Sequence, residues 1–455
     1  MKFPVISTLA IAISLLTCNN ASDRGKTKTK ASDKAPLVSI VSKKEILDEP
    51  KTEAKLSIKQ GDKTIFNANI GIEIRGAVSQ MFYEKKSYGF ELQAINKDED
   101  AAMPILGLPK GSDWVLHGPF GDKTLLRNAV AYRLSNNIGR YAAKTQFVEL
   151  EINGDYMGFY VLMEKLKHGP GRINISKLSP TDSTQEAITG GYVLKIDKTA
   201  GGGHDDFDDY TSDNSFRSRY DAKAKISQKS KTFFMYEYPK AKNITKSQAR
   251  YIQQYVADFE KTLASDHYKD PENGYQKYID IDSFVDYFIL TELMQNHDGY
   301  RLSTYLQKDR NQKLAMGPIW DFDIAFGSDA GFCDGMNQPA WVFQYNQYCG
   351  GDTWVVPFWW KKLVSDPAFM AKVKARWKAL RNTQLADNEL EKTISDFATE
   401  ITENNMVARN FERWAILKKQ ITPNSTTGSH QKEISRMKSW LTGHAHWIDI
   451  HLAEL

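Results

Sequence analysis

Alternating apolar and polar residues dominate the first third of the chain and predict β-strands. The alternation begins near Leu37 and continues through strands that are broken at residues 61–62, where a turn is expected. A later strand places Lys86 on the same apolar face as Tyr88 and Phe90, because successive side chains of a strand point to opposite faces. The ammonium of Lys86 is therefore expected to be buried unless it has a partner.

A single helix is predicted among these strands. Residues 123–138 carry apolar positions at helical spacing, and Gly139 is typical of a helix end. Two strands, residues 145–152 and 158–166, follow the helix and are joined by a turn at residues 153–155. The first third is thus predicted to be mostly strands, with one helix between the third and fourth main segments.

The remainder of the chain is richer in helical patterns. Residues 190–197 predict another strand, and the polar residues 199–231, rich in Gly and Asp, predict a loop. Apolar residues at helical spacing then predict helices at residues 245–264, 282–294, 364–383, 388–405 and 430–452. The fold class is therefore predicted to be α+β.

The order of these elements is one that protein kinases use. A strand-rich small lobe would comprise residues 37–166, and a mainly helical large lobe would comprise residues 167–455. The hinge would then lie at Glu164, Lys165 and Leu166, whose backbone N–H and C=O groups could bind a purine.

The N-terminus predicts export. Lys2 precedes a short apolar segment, residues 5–16, which is too short to span a bilayer comfortably and resembles a secretory signal. The segment ends at Thr17-Cys18, which is similar to a bacterial lipoprotein cleavage site with Cys18 as the lipidated residue. The alternative is an ordinary signal with an incidental cysteine. Residues 19–36 are small, polar and charged, and predict a flexible tether.

Composition excludes some classes of protein. Hydrophobic residues make up 41% and charged residues 25% of the chain, which permits a buried core and argues against disorder. The net charge of +4 is too small to indicate nucleic acid as a partner. If Cys18 is lipidated, Cys333 and Cys349 remain, and two thiols in an exported protein favour a disulfide, with two free thiols as the alternative.

Two segments place acids beside aromatic residues. Residues 296–304 contain Asp298 and follow a predicted helix, and residues 317–327 contain Asp321 and Asp323. Asp298 and Asp321 are 23 residues apart, which leaves room for one hairpin between them. Phosphoryl transfer needs one carboxylate to orient the nucleophile and accept its proton, and another to hold Mg²⁺ against the phosphates. Turn-capping carboxylates are the alternative.

Six segments in one order give the chain its resemblance to a known family. It resembles the spore coat protein H (CotH) kinase family over nearly its whole mature length. The similar segments are residues 71–92, 112–141, 145–166, 190–198, 296–309 and 317–327. The resemblance implies an atypical, secreted branch of the kinase fold that phosphorylates proteins. It also implies that Asp298 is the catalytic-loop aspartate and that Asp321 is the metal-binding one.

Candidate phosphate ligands lie before the predicted helix 123–138 and, in the case of Arg127, within it. Lys86 could grip phosphate, with Lys85 as its rival, although a stem that snorkels along the sheet edge is the alternative. Ser79 lies in a segment, residues 76–80, that could cover phosphates through backbone N–H groups. Arg75 and Arg127 could bind phosphate or form salt bridges between the lobes.

Two departures from the kinase pattern qualify these roles. Residues 123–138 contain no acid, so the partner that kinases supply to the lysine from this helix must come from elsewhere, with Glu164 as one candidate. Ser303 stands five residues after Asp298, where kinases carry an Asn that ligates a second metal ion. Ser303 and Asp323 are therefore candidate metal ligands beside Asp321.

The leading hypothesis is a kinase that uses ATP with Mg²⁺ or Mn²⁺ and transfers phosphate to a Ser or Thr hydroxyl of a protein. The alternative is a non-catalytic binding protein of the cell envelope, because ATP is scarce outside the cytoplasm. Such a protein could use the aromatic-rich residues 341–360, for which packing between the lobes is the simpler explanation. Glycoside hydrolysis is a third possibility, supported only by the acids themselves.

Overall fold

The computed structural model describes residues 35–76, 78–94, 101–199, 210–220, 231–327, 339–349, 352–421 and 423–455. Within these residues the fold is mixed α/β, with large antiparallel sheets and about ten helices, in agreement with the predicted α+β class. None of the helices in these ranges is both long and apolar enough to cross a membrane. The predicted signal, the lipidation site at Cys18 and most of the tether lie outside the described residues.

Strands from the first third of the chain close into a barrel in the order β1-β2-β3-β4-β7-β9-β8. Neighbouring strands pair antiparallel, except that β1 pairs parallel with β8 and closes the barrel. The strands of this region are β1 (Leu37–Ser42), β2 (Thr52–Gln60), β3 (Lys63–Arg75), β4 (Ser87–Gln93), β5 (Met103–Ile105), β6 (Leu108–Gly111), β7 (Asp113–His117), β8 (Thr145–Ile152) and β9 (Asp155–Glu164). Strands β5 and β6 form a separate hairpin.

The barrel interior follows the alternation of the sequence. Tyr88, Phe90 and Leu92 of β4 point into a core that also contains Trp114. The turn predicted at residues 153–155 joins β8 to β9, and Asn153 there has the positive φ that such a hairpin turn requires.

The two neighbouring lysines do not occupy the positions that the alternation predicts. Lys86 precedes β4 and is only half-buried, whereas Lys85 is the buried lysine, with 1% of its surface exposed. The Lys85 ammonium donates to the carbonyl of Phe159 at 2.5 Å and to Oδ1 of Asn410 at 2.8 Å. Lys85 therefore ties strand β9 to a helix that lies about 250 residues further along the chain.

The predicted helix of the first third is shorter than expected. Helix α1 (Val78–Phe82) precedes β4, and helix α2 (Arg127–Asn137) occupies only part of residues 123–138. The Asp122 carboxylate accepts the backbone N–H groups of Thr124 and Arg127, and these hydrogen bonds hold residues 122–126 in a turn before the helix begins.

A second sheet has the strand order β11-β12-β10-β13-β14. Its strands are β10 (Tyr192–Ile196), β11 (Ser215–Arg217), β12 (Phe233–Tyr238), β13 (Thr304–Lys308) and β14 (Leu314–Met316). Strand β10 is the one predicted at residues 190–197. Strand β11 lies inside the predicted loop 199–231, of which residues 200–209 and 221–230 are outside the description.

The helices of the second part are α3 (Lys246–Ala264), α4 (Ile281–Leu293), α5 (Tyr345–Tyr348), α6 (Phe358–Val364), α7 (Pro367–Arg381), α8 (Asp387–Glu403), α9 (Met406–Arg413) and α10 (His430–His451). Five of these helices, α3, α4, α7, α8 and α10, lie close to their predicted positions, whereas α5, α6 and α9 were not predicted. Thr245 and Gln248 form a capping box at the start of α3. The helix predicted at residues 364–383 begins at Pro367, where Asp366 accepts the N–H of Ala368.

The aromatic-rich segment, residues 341–360, packs inside the molecule. Trp359 and Trp360 are each 1% exposed, and Trp341 and Tyr345 are also buried. Trp360 contacts Tyr300 with ring centroids 4.3 Å apart. Most of these aromatic side chains therefore belong to the core, although Tyr348 is exposed. In the same segment Cys349 is disulfide-bonded, while Cys333, its predicted partner, lies outside the described residues.

We expect Lys85→Ala to lower the free energy of unfolding by about 3 kcal/mol, because the substitution removes the buried ammonium that donates to the carbonyl of Phe159 and to Oδ1 of Asn410. Lys86→Ala is the matched control. It removes a half-buried ammonium and should lower the same free energy by only about 1 kcal/mol. Urea unfolding of the two variants and the wild type measures both values. Equal losses would contradict the distinction between the two lysines.

Candidate active site

Asp298 lies on a loop that links helix α4 to strand β13. Asn296 fixes this loop, because its Oδ1 accepts the Asp298 N–H at 3.3 Å. The Nδ2 of Asn296 donates to the carbonyl of Asp321 at 3.1 Å. One asparagine side chain therefore connects the Asp298 loop to the loop that carries Asp321.

Asp321 has a left-handed backbone conformation, with φ +62, which is uncommon for a residue with a side chain. Helix α2 holds this loop through the backbone. The Tyr132 hydroxyl accepts the Asp321 N–H at 3.2 Å, and Asn128 Oδ1 accepts the Phe322 N–H at 2.6 Å. Arg127 donates to the carbonyl of Asp323 at 3.1 Å. These three hydrogen bonds keep a sparsely populated conformation in place.

Helix α2 thus holds the loop that carries Asp321, although the helix itself carries no acid. Arg127 is buried and lies 3.5 Å from an oxygen of Asp122, so its charge is paired inside the protein. Asn128 is itself held by His117, whose Nε2 lies 3.2 Å from the amide nitrogen. Burial lowers the pKa of His117 to about 4, so this histidine is neutral at pH 7.

The carboxylates of the two loops influence one another. Burial raises the pKa of Asp321 well above its usual range, and the charges of Asp323, Asp298 and Asp197 raise it further. Burial also raises the pKa of Asp323 to about 6, with Asp298 and Asp122 adding to the effect. Asp298, Asp321 and Asp323 therefore share one electrostatic environment.

Asp298 differs from the other two acids because a cation contacts it. Arg301 Nη2 lies 2.9 Å from Asp298 Oδ1. Burial raises the pKa of Asp298, the charges of Arg301 and Lys198 lower it, and those of Asp197 and Asp352 raise it. The net direction is upward, which makes this carboxylate a better proton acceptor than an exposed aspartate.

Asp197 is an acid of this site that the sequence analysis did not single out. Strand β10 ends at Ile196, which pairs with Thr304, so the next pair along the two strands brings Asp197 beside Ser303. Lys195 Nζ lies 3.3 Å from an oxygen of Asp197. An acid directly after a buried strand was the available signal, within the family-like segment 190–198.

The profile of a protein family described as CotH kinase protein matches residues 72–448. The chain belongs to the CotH kinase family. The match covers four of the seven barrel strands and the end of β3, both acidic loops and nearly all of the helical part. No curated protein gives a significant match.

The acids of this CotH chain can contribute to a metal site but do not build one by themselves. In the described ranges no three His, Cys, Asp or Glu side chains converge as ligands of one ion. Mg²⁺ in proteins commonly takes one or two carboxylates and completes its shell with waters and substrate phosphates. Asp321 and Asp323 fit that arrangement, because a divalent cation would relieve the repulsion that raises the pKa of Asp321. Ser303 is buried, with φ +46.

The segment predicted to cover phosphates lies near these acids. Tyr83 follows helix α1, and burial together with the charges of Asp323 and Asp321 raises its pKa. Lys86 donates to the carbonyls of Gln80 at 2.6 Å and Tyr83 at 2.7 Å. The Lys86 ammonium is thus held by backbone carbonyls rather than by an acid, and it stabilises the end of α1.

Gly76 is required at the start of this segment. It has φ +103, and the Ser79 hydroxyl lies 2.1 Å from the place where a side-chain carbon at residue 76 would be. The close approach brings Ser79 back over the end of strand β3. Ala77, which lies between Gly76 and Ser79 in the sequence, is not among the residues that the structure describes.

Arg75 is a cation available at the site. It ends strand β3, its guanidinium carbon lies 5.7 Å from the Trp320 ring centroid, and its charge lowers the pKa of Asp321. Across the described part of the chain the Arg75 side chain makes no hydrogen bond or ion pair. An arginine whose guanidinium has no hydrogen bond or ion pair can bind an anion without losing an existing partner.

The predicted hinge residues are held by internal contacts. Glu164 is fully buried and accepts the Lys144 N–H at 2.9 Å, and its side chain is 3.5 Å from Arg172. The carbonyl of Lys165 accepts from Arg172 at 3.1 Å, while the Lys165 ammonium lies 3.9 Å from Glu73. Leu166 is buried. Glu164 therefore pairs with Arg172 and not with Lys86.

We expect Asp323→Asn to stabilise the metal-free protein at pH 7.5, by about 2 kcal/mol. The folded pKa of about 6 exceeds the ordinary value of 3.8, so the folded state binds more protons between these pH values. Stability is then lost as pH rises from about 4 to 6 and stays reduced above that range. The asparagine does not ionise, so the variant avoids the cost of holding a charged carboxylate at residue 323 in the folded state. Urea unfolding of the wild type and the variant in the presence of a chelator, from pH 4.5 to 8, measures the difference in the free energy of unfolding.

The control for this prediction is Asp282→Asn, at a side chain that is 72% exposed, which should change stability little at any pH. An Asp323→Asn variant that is less stable than wild type at pH 7.5 would contradict the prediction. So would a difference in stability that does not shrink towards pH 4.5.

Proposed function

We propose that this CotH-family chain is an ATP-dependent phosphotransferase that uses Mg²⁺ or Mn²⁺ and acts on Ser or Thr hydroxyls of exported or surface proteins. In this proposal residues 37–166 and 167–455 are the two lobes of a kinase-like arrangement. The observation that carries the proposal is that the Asn296 side chain joins the loop of Asp298 to the loop of Asp321 and Asp323 through hydrogen bonds to both, which places the three acids in one site.

Asp298 acts as the base in this reaction. Its carboxylate accepts the proton of the acceptor hydroxyl while that oxygen forms a bond to the γ-phosphorus. The bond between the γ-phosphorus and the oxygen that bridges it to the β-phosphorus breaks, and ADP leaves with this bridging oxygen. Burial suits Asp298 to the task because it raises the pKa of the carboxylate, while Arg301 keeps it oriented.

Asp321 and Asp323 hold the divalent cation in this proposal, with Ser303 as a further candidate ligand. The cation supplies positive charge against the phosphate oxygens. Helix α2 keeps the Asp321 loop in place because the backbone N–H groups of Asp321 and Phe322 donate to its Tyr132 and Asn128 side chains. The left-handed conformation of Asp321 is the kind of local strain that accompanies functional sites.

Arg75 is the best-supported phosphate ligand, because its guanidinium lies near Asp321 without an ion pair. Ser79 and the surrounding backbone would cover the phosphates. Lys86 would stabilise this covering segment through the carbonyls of Gln80 and Tyr83. The purine would lie beside residues 164–166, where the Lys165 carbonyl already accepts from Arg172 and the Lys165 N–H already donates to the carbonyl of Asp113.

The proposal also includes export of the chain and its attachment to a membrane through a lipid on Cys18. The apolar segment 5–16 followed by Cys18 supports a lipoprotein that faces the periplasm or the cell surface. Acceptors of phosphate would then be proteins of the same compartment, within reach of the tether at residues 19–36.

A second candidate function is nucleotide binding without catalysis. Two observations favour it: helix α2 supplies no acid to a lysine, and the Lys86 ammonium is already bound by carbonyls. The two candidates make different predictions for phosphate transfer and the same prediction for nucleotide binding.

We expect the wild-type chain to transfer labelled phosphate from ATP to generic protein acceptors in the presence of Mg²⁺ or Mn²⁺. Asp298→Asn should reduce transfer by about 100-fold or more, because it removes the base. Asp282→Asn, at an exposed position of helix α4, should transfer at the wild-type rate. Absence of transfer by the wild type, or equal transfer by Asp298→Asn, would contradict the kinase proposal.

We expect ATP with Mn²⁺ to raise the melting temperature of the wild type, because a ligand that binds only the folded state stabilises it. Asp321→Asn should abolish this shift, whereas Asp298→Asn should keep it. A shift in a wild type that transfers no phosphate would favour the non-catalytic binder. Absence of any shift would contradict both candidates.

A further inference from the structure

Arg301 joins the Asp298 loop to the segment that follows helix α5. Its side chain is fully buried, with Nη2 2.9 Å from Asp298 Oδ1 and Nη1 3.1 Å from Asp352 Oδ2. The Arg301 Nε donates to the carbonyl of His297 at 2.8 Å, and the guanidinium lies 4.2 Å from the Tyr345 ring centroid. One guanidinium therefore bridges two carboxylates from distant parts of the chain.

Asp352 is itself held on several sides. The Tyr345 hydroxyl donates to its Oδ2 at 2.7 Å, and the Trp354 N–H donates to its Oδ1 at 3.0 Å. Its backbone N–H donates to the carbonyl of Cys349 at 3.1 Å, and Cys349 is disulfide-bonded. Asp352 is thus a fixed anchor for Arg301 rather than a side chain that could turn away.

A bridge of this kind contributes little net stability, because the cost of removing three charges from water offsets their attraction. The bridge instead determines the orientation of the Asp298 carboxylate. Asp298 Oδ1 is occupied by Arg301, whereas Oδ2 makes no hydrogen bond within the described segments. The Asp298 side chain is 20% exposed, so one oxygen is held while the carboxylate stays accessible.

We propose that Arg301 and Asp352 are positioning residues for Asp298: Arg301 fixes one carboxylate oxygen so that the other can accept a proton, and Asp352 fixes Arg301. This inference rests on the proposed phosphotransferase function, since it assigns a purpose to the orientation of its base. It names two residues that touch neither nucleotide nor acceptor and yet control the reacting carboxylate.

The charges around Asp298 allow a test that loss of structure alone would not mimic. Arg301 and Lys198 lower the pKa of Asp298, and Asp197 and Asp352 raise it. Asp321 and Asp323 are the other charged groups coupled to it. Arg301→Gln should therefore raise the pKa of Asp298, and Asp352→Asn should lower it. General loosening of the loop would move the pKa in the same direction in both variants.

Carbodiimide labelling measures these pKa values without any need for activity, because the reagent couples to protonated carboxyl groups. Mass spectrometry of the peptide that contains Asp298, labelled from pH 4 to 8, gives the midpoint for that residue. We expect Arg301→Gln to raise the midpoint by about one pH unit or more and Asp352→Asn to lower it. Arg413→Gln breaks an arginine–aspartate pair on the outside of the barrel and should leave it unchanged.

Activity supplies the second measurement. Arg301→Lys keeps the charge but cannot contact both carboxylates as the planar guanidinium does. We expect its kcat to fall about 10- to 100-fold, with the KM for ATP close to that of wild type and with a labelling midpoint closer to wild type than that of Arg301→Gln.

The two parts of the account fail in distinguishable ways. Unchanged midpoints in Arg301→Gln and Asp352→Asn, or shifts in the same direction, would overturn the positioning role even if the wild type transfers phosphate. A wild type that transfers no phosphate would overturn the proposed function, and with it the catalytic purpose of the bridge, even if the midpoints move in opposite directions.

Discussion

The central constraint on this protein is that it holds three partly buried carboxylates, those of Asp298, Asp321 and Asp323, near enough for the charge of Asp298 to act on the other two. Burial raises the pKa of Asp298, Asp321 and Asp323, and the charge of Asp298 raises the pKa of the other two further. Such an arrangement opposes folding at neutral pH, and a natural chain retains it where function needs the charge density. Binding of a divalent cation would turn the same repulsion into affinity for that cation. Much of the surrounding structure serves to hold these side chains where they would not stay by themselves.

Three sets of contacts oppose the repulsion. Helix α2 holds the backbone of the Asp321 loop, Asn296 connects this loop to that of Asp298, and Arg301 fixes the Asp298 carboxylate. All three act through hydrogen bonds to backbone or to a single carboxylate oxygen, so they leave the remaining acid oxygens accessible to ligands. An ordinary kinase helix would instead use a glutamate paired to a lysine. In this chain the helix is linked directly to the loop that carries Asp321, which explains how α2 can carry no acid and still contact the candidate site.

The sequence predicted those features that depend on local periodicity. The inner face of β4, the bounds of β8 and the capped start of α3 follow from alternation, turn residues and capping pairs, which act over a few positions. The family resemblance was also visible in the sequence, and the match over residues 72–448 confirms it. What could not be predicted are contacts between distant residues. The burial of Lys85 depends on Asn410, more than 300 positions away, and the bridge from Asp298 to Asp352 depends on a loop that no periodic pattern describes. Asp197 was missed because its proximity to Ser303 follows from strand pairing.

The most direct test of the account is a crystal structure of the full chain with Mn²⁺ and an ATP analogue that cannot be hydrolysed, since the anomalous signal of manganese locates the ion without reference to any assumed site. The account predicts a manganese peak in coordination distance of Asp321 and Asp323, with the γ-phosphate between that ion and the unoccupied oxygen of Asp298. A nucleotide bound away from these acids, or manganese that has neither Asp321 nor Asp323 as a ligand, would contradict it.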